Sequence, residues 1–543
     1  MKNLVALLLC CAPFFALAQI NFDSSYLPIV ILNTNGQVIP DEPKLDATMQ
    51  VIDNGPGQIN HLSDLPNHFN GSIGIERRGS TSDWLSDKKP YAIEIRDAAG
   101  VDLEFPLLGM PKGSDWAFLA PFNDKSLVRD ALMLGLAANI MPWASRCRFV
   151  ELVLNGEYEG IYLVTEKIKR DKNRVDISKL KADDTAGDSL TGGYILKIDK
   201  TTGASNEGWI SPYVHTPGAW QTTLWQVEYP KPIDLQPAQK AYIKQWITAF
   251  EGAMASPNFA DSTVGYPKYI DVSSFVDFTL LNELAKCVDA YRISTFFYKD
   301  KDSKDPYLHA GPVWDFNIAL GNAGYCNGEN PEGWMIDFNE ICPDDTWITQ
   351  FWWKKMWEDP NYRHRLQDRW TELRSGALSN DHIFHLLDSL TTSVEEAQVR
   401  NYKRWPVLNT WVWPNVFCCG TYADHTDFLR KWLIKRLEWM DNAAKTLYIG
   451  KYEPKKRFET RAFPNPVSTG ILRFDCYTHY NDAVLIRVYD AMGRFVQDIK
   501  FEPEFNGKNT FEWQYESLPR GVYVYEVLFN GQRESSGRIV VAK

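Results

Sequence analysis

From Leu27 to about Leu108 apolar and polar positions alternate with the period of a strand. The stretches LPIVILNT, IGIERRG and YAIEIRD are rich in β-branched residues and are broken by the turn signals NG, GPG and AAG. The period then changes. Over DKSLVRDALMLGLAANI (124–140), Leu127, Leu132, Leu136 and Ile140 recur at helical spacing, and Asp124 or Ser126 is placed to cap the start. RFVELVLNGEYEGIYLVTEKI returns to alternation on both sides of Asn155-Gly156, a strong hairpin signal. GGYILKID (192–199) predicts a further strand.

Between about 236 and Cys287 the pattern is helical, and it extends again through STFFYKD. A charged turn, DKDSKD, leads into YLHAGPVWDFN, which predicts a second strand with Asp315 at its end. From Trp347 to about Leu447 the chain is mainly helical. Residues 451–460, KYEPKKRFET, are charged and carry no apolar period, so a linker is expected there. Beyond it the short runs ILRFDCY, AVLIRVYD, TFEWQY, GVYVYEVLF and GRIVVAK are separated by turn signals. They predict a small antiparallel β-sandwich over 461–543.

Composition narrows the class. At 543 residues, 44% apolar and 23% charged, the chain reads as a folded protein of several domains. A formal net charge of −11 argues against a nucleic-acid binder and gives no preference for anionic membrane surfaces. The opening MKNLVALLLCCAPFFALAQI has a basic start, an apolar stretch and the small-x-small site Ala16-Leu17-Ala18, so residues 1–18 read as a secretory signal peptide. Lipid attachment at Cys10 is the alternative, and it leaves a very short apolar stretch. No later run approaches the ~20 apolar residues of a spanning helix, so no transmembrane segment is expected.

Seven of the nine cysteines lie beyond that leader, which leaves at least one without an intrachain partner. Cys326 and Cys342 flank a polar loop and are the best-placed pair for a disulfide in an oxidising compartment. There is no CxxC, no HExxH and no zinc-spaced Cys/His array. A GxSxG elbow, a Walker GxxxxGK[ST] and a kinase GxGxxG are also missing, which excludes conventional forms of those enzymes.

Two resemblances then enter. Pro464-Asn465-Pro466, VYDAMGR (488–494), GVYVYEV (521–527) and the terminal GRIVVAK resemble the type A C-terminal sorting domain of the Bacteroidetes type IX secretion system. That implies recognition by the secretion machinery and passage across the outer membrane, with the domain removed and the protein released or attached to the surface. Residues 19–450 resemble the CotH (spore coat protein H) kinase family. The resemblance rests on DEPKLDATMQVIDNGPG (41–57), IERRGSTSDWLSDKKPYAIEI (75–95), GSDWAFLAPFNDKSLVRDAL (113–132), NGEYEGIYLVTEKI (155–168), GGYILKID, VDAYRISTFFYKD (288–300) and GPVWDFNIALGN (311–322). It implies an α+β fold: an atypical protein-kinase-like domain with an N-terminal β-rich lobe and a helical C-terminal part, followed by the all-β sandwich. It also implies an ATP-dependent phosphotransferase that uses Mg²⁺ or Mn²⁺ and acts on serines of secreted or surface proteins.

Phosphoryl transfer needs a cation over the phosphates, oxygen ligands for a metal and an aspartate to orient the attacking hydroxyl. Lys88 and Lys89 stand before YAIEI, one expected to point inward and the other to solvent; a solvated pair at a strand edge explains either alone equally well. Arg78-Gly79 could also approach phosphate, because glycine permits close backbone contact. Glu166, after IYLVT, suits a partner for the phosphate-binding lysine or a place at the adenine-side hinge, with a surface charge ladder as the plain alternative.

Asp289 is the candidate base, although an ion pair with Arg292 closing the turn would account for it too. In conventional kinases a metal-binding Asn follows that aspartate by five residues. Here the position is Ser294. Asp315, 26 residues beyond Asp289 across one expected hairpin, takes the place of the metal-binding aspartate in WDFN. Members of the coat-protein family often carry an aspartate where Asn317 stands, but an amide oxygen still binds magnesium. Asn322 is a further oxygen ligand. The departures at Ser294 and Asn317 keep open a non-catalytic scaffold with a kinase-like fold. The 20 tryptophans, with NYKRWPVLNTWVWPN (401–415), allow a carbohydrate-active or carbohydrate-binding protein, though packing of those tryptophans into the core is the simpler reading.

Overall fold

Seven strands of the N-terminal region close into a barrel in the computed structural model of the chain. In order around the barrel they are Ile29–Asn33, Leu45–Ile52, Phe69–Arg77, Tyr91–Arg96, Asp115–Leu119, Glu157–Glu166 and Cys147–Leu154. The last returns to run parallel with the first, Ile29 opposite Glu151. The structure describes residues 20–200, 208–215, 219–448, 460–468, 470–478, 483–503, 507–515, 518–529 and 531–542. The expected signal peptide, and all of the expected linker except Thr460, lie outside these residues.

Alternation explains the barrel. Met49, Val51, Ile73, Ile75, Ile93 and Ile95 sit two apart on their strands and fill the interior together with Trp116, Phe118, Tyr162 and Val164. The Asn155-Gly156 hairpin forms as expected, with both residues at positive φ (52° and 84°), the backbone that a two-residue turn between strands demands. The helix expected over 124–140 is shorter, Arg129–Ala137. The carboxylate of Asp124 accepts from the backbone N–H of Ser126 and Arg129 and so shapes the approach to the helix.

A five-stranded sheet follows, in the order Gly208–Val214, Thr222–Tyr229, Tyr194–Ile198, Thr295–Lys299, Leu308–Ala310. One face, with Leu196, Trp225 and Phe297, packs on Phe250, Phe275, Trp352 and Trp353 from the helices Pro237–Ala255, Val272–Ala285 and Phe351–Glu358. The opposite face carries Ile195 and Phe296, packed with Ile168, Val175 and Ile177. Much of the aromatic content is therefore core. The helical stretch after Trp347 is interrupted at Pro360, which lacks an N–H and opens a new helix, Pro360–Arg374, capped by Asp359.

The sheet register decides where the chemistry gathers. Strands Tyr194–Ile198 and Thr295–Lys299 are antiparallel, with Ile198 opposite Thr295, and Leu308–Ala310 is antiparallel to the latter, with Ala310 opposite Phe297. The end of the first strand, the start of the second and the end of the third thus share one edge of the sheet. Asp199, Asp289 and Asp315 lie just past those ends. Asp315 is not on the last strand itself. Pairing stops at Ala310, because Gly311 adopts φ 112° and Pro312 has no N–H to offer the ladder.

By its contacts the chain divides into two units, 1–448 and 449–543. In the second, three strands (Arg461–Phe463, Ile471–Thr478, Gly507–Gln514) and four strands (Phe495–Phe501, Val484–Asp490, Gly521–Phe529, Gln532–Val541) form two sheets. They share a core of Leu472, Phe474, Ile486, Val488, Trp513, Tyr525, Val527 and Ile539.

Candidate functional site

A cavity of about 670 Å³ opens between the barrel and the shared edge of the five-stranded sheet. Arg78 follows the barrel strand Phe69–Arg77, and Lys167 follows the strand Glu157–Glu166; both line the cavity. Lys197 and Asp199 enter from the sheet, Asp289 and Ser294 from the turn before Thr295–Lys299, and Asp315 and Asn317 from the turn after Pro312.

The turn bearing Asp289 is fixed by Arg292. This buried guanidinium donates to Asp289 Oδ1 (2.9 Å), Asp345 Oδ1 (3.1 Å), and the carbonyls of Trp347 (2.7 Å) and Val288 (2.8 Å), and lies 4.1 Å from the Phe338 ring centroid. The ion pair seen in sequence as an alternative thus exists, and it occupies only one carboxylate oxygen. The other has no protein partner among the described residues. Cys326 and Cys342 form a disulfide, and the cavity-lining residues Tyr325 and Asp344–Trp347 flank its two ends.

Asp315 adopts φ 69°, and Ser294 (48°), Tyr291 (70°) and Leu320 (52°) are also left-handed. Such backbone costs of order 1 kcal/mol or more per residue and concentrates where surrounding structure over-determines it. Solvent reaches the Asp315 carboxylate through the cavity, while the protein around it and the negative Asp289 raise its pKa to about 6; Arg78 pulls the other way. Burial likewise raises Asp199, against Lys197. Ser294 Oγ makes a long hydrogen bond to Asp315 Oδ2, 3.5 Å.

Facing these carboxylates are two cations without a carboxylate within ion-pair distance among the described residues. Burial lowers the pKa of Arg78, opposed by Asp315, Asp130 and Asp199, and its guanidinium lies 5.6 Å from the Trp314 ring centroid. Burial also lowers Lys167. Lys197 is paired with Glu228 at 2.8 Å, and Lys200 donates to Thr81 at 2.9 Å.

The remaining sequence candidates lie elsewhere. Lys88 points inward, but away from the cavity: its ammonium donates to Ile161 O (2.5 Å) and Asn401 Oδ1 (2.8 Å), and burial pushes its pKa down to about 7. Lys89 donates to the carbonyl of Asp83 (2.5 Å). Glu166 is fully buried and binds Arg146 (2.9 Å) and Arg174 (3.2 Å) rather than a lysine. Along that strand end neighbouring side chains diverge, so Lys167, not Glu166, reaches the cavity. Asn322 is a brace: its Nδ2 donates to Asn317 O (2.8 Å) and its Oδ1 accepts from Asn415 (2.9 Å). Lys167, Lys197, Asp199 and Asp130 were not singled out in sequence. Only Asp199 had a usable signal, as the polar residue ending a predicted strand.

Among the described residues no three Asp, Glu, His or Cys side chains converge as a ready-made metal cage. Magnesium in phosphoryl-transfer sites needs only one or two carboxylates, with phosphate and water completing its shell. Asp315, in a field of neighbouring carboxylates, and Asn317, whose Oδ1 has no protein partner among the described residues, fit that requirement.

Comparison with known proteins adds two family matches. Residues 75–440 match the CotH kinase protein family, and residues 461–542 match a secretion-system C-terminal sorting domain, which marks the chain for export to the cell surface or beyond. No curated protein matches the chain. Among solved structures it is similar to Pseudomonas fluorescens alkylpurine DNA glycosylase AlkC bound to DNA containing an abasic site analog. The identity is 12% over 35% of this chain and 54% of that chain, with a TM-score of 0.12, a likeness too slight to carry any argument. No helix among the described residues is long and apolar enough to cross a membrane.

Proposed function

The chain belongs to the CotH kinase protein family, and on that premise we propose that it is an exported atypical protein kinase, moving the γ-phosphoryl group of ATP to Ser or Thr hydroxyls of secreted or surface proteins. One observation carries this reading: a single cavity sets Asp289 and Asp315 opposite Arg78 and Lys167, two cations with no carboxylate within ion-pair distance among the described residues. A polyanion such as a triphosphate complements that charge pattern. The sorting domain accounts for engagement with the secretion machinery.

In this reading Arg78 and Lys167 grip the phosphates, and Asp315 with Asn317 would hold a divalent cation. When bound, that ion neutralises charge on the phosphate oxygens. Arg292 holds Asp289 by one oxygen, so the other can accept the proton of the substrate hydroxyl as the oxygen bonds to phosphorus. The bond from phosphorus to the β,γ-bridging oxygen breaks, and ADP leaves. Ser294 supports Asp315 through its hydroxyl.

The test is transfer of labelled phosphate from ATP, with Mg²⁺ or Mn²⁺, by the mature chain and by Asp289→Ala and Asp315→Ala. Label lost in both variants supports the assignment. Nucleotide binding with no transfer by the wild type would make the chain a non-catalytic scaffold, and no nucleotide binding would refute the reading.

A further inference from the structure

Asp130 stands in the first turn of the helix Arg129–Ala137, far from Asp315 in sequence, and belongs to none of the roles above. Its Oδ1 accepts the backbone N–H of Phe316 at 2.6 Å. That N–H belongs to the peptide immediately after Asp315, so the hydrogen bond fixes the orientation of the peptide plane by which Asp315 leaves its left-handed conformation (φ 69°). For an L-residue that conformation is disfavoured unless neighbours hold it.

The hold is anchored on both sides. Arg129, next to Asp130, donates through Nε to Ala319 O (3.1 Å) and through Nη2 to Leu320 O (3.3 Å), and is itself bound to the buried Asp124. Asn123 Oδ1 accepts from Asn317 (3.4 Å), and its carbonyl accepts from Asn322 (3.2 Å). Residues 123–130 therefore grip the whole turn 316–322, and Asp130 makes the contact nearest to the cavity carboxylate.

We infer that Asp130 is a positioning residue, setting the backbone at Asp315 so that its carboxylate and the Asn317 amide present their oxygens together to a metal–nucleotide complex. This rests on the phosphotransferase reading of the cavity. Asp130 touches neither metal nor nucleotide. Like other outer partners of metal ligands, it acts by orientation, and loss of such a partner typically weakens metal binding 10- to 100-fold. The hydrogen bond from Phe316 needs only an acceptor oxygen at that position, which a neutral amide also supplies.

The experiment measures binding of Mn²⁺ with a non-hydrolysable ATP analogue by calorimetry on the full mature chain, and ligand-free amide exchange at Phe316. Asp130→Ala is expected to weaken binding at least about 10-fold and to speed exchange at Phe316. Asp130→Asn, whose amide oxygen can still accept that N–H, is expected to restore both to within about threefold of wild type, a rescue that a change of charge alone would not give. If Asp315→Ala binds as tightly as wild type, the reading of the cavity fails. If Asp315→Ala loses binding while Asp130→Ala does not, or if Asp130→Asn is as weak as Asp130→Ala, the positioning role fails. Because Asp130→Asn keeps shape and hydrogen bonding, it decides the matter even if Asp130→Ala does not fold.

Discussion

Arg292 donates to one oxygen of Asp289 at 2.9 Å and leaves the other without a protein partner among the described residues, while the same guanidinium reaches the carbonyl of Trp347 at 2.7 Å. An isolated ion pair would have quenched the carboxylate. Here the guanidinium spreads its donors over four acceptors, so Asp289 is held and still has an oxygen to offer. Arg292→Lys keeps the charge but loses the planar fork. It is expected to lower kcat roughly 10²-fold with little change in KM for ATP, because a misplaced base costs rate rather than binding. Asp289→Asn is expected to fall by roughly 10²-fold or more with nucleotide binding intact, as checked by steady-state kinetics beside calorimetry.

The placement of the cations makes a second prediction. Arg78→Ala and Lys167→Ala each remove a charged donor facing the cavity, and each is expected to weaken ATP binding about 10-fold or more. Lys88→Met replaces an ammonium bound to Ile161 O and Asn401 and is expected to leave ATP affinity within about threefold. Equal losses in all three variants would contradict the assignment of Arg78 and Lys167. Fluorescence titration with a nucleotide analogue separates the outcomes.

The Cys326–Cys342 disulfide closes a loop of sequence separation 16 whose ends carry Tyr325 and Asp345 to the cavity. A loop of that size corresponds to about 3 kcal/mol of stabilisation in the chain-entropy treatment. The double Cys→Ser variant is expected to lose about that much in urea unfolding. It is also expected to lower kcat, because Asp345 helps to hold Arg292.

Glu251 supplies a pH test away from the cavity. It is buried in the helix Pro237–Ala255, accepts from Ser211 Oγ (2.8 Å) and Trp225 Nε1 (3.1 Å), and burial raises its pKa to about 7. The folded state thus keeps a proton that the unfolded chain, titrating near 4.5, gives up. The contribution to stability is complete below pH 4.5 and is lost as pH rises to about 7, with a slope of up to about 1.4 kcal/mol per pH unit. Glu251→Gln is expected to remove that component from the pH dependence of the thermal midpoint. An unchanged profile would contradict it.

Local pattern by itself determined much of this protein. Strand alternation, the Asn155-Gly156 turn, the helical stretches and the run of short C-terminal strands follow from periodicity and turn chemistry, which act within a few residues. The disulfide pair was recognisable from its flanking loop. Asp289 and Asp315 were legible because one hairpin joins them and their motifs are ordered in sequence. Register between strands decided the rest. It set Asp199 beside those two carboxylates, and packing of residues 123–130 on the turn 316–322 brought Asp130 to the N–H of Phe316. It also turned Lys167 toward the cavity while Glu166 and Lys88 went to buried partners. A strand's alternation tells which residues share a face, but not which face meets a cavity. That depends on how the barrel closes and where the sheet edge falls, and both are set by contacts between residues far apart in the chain.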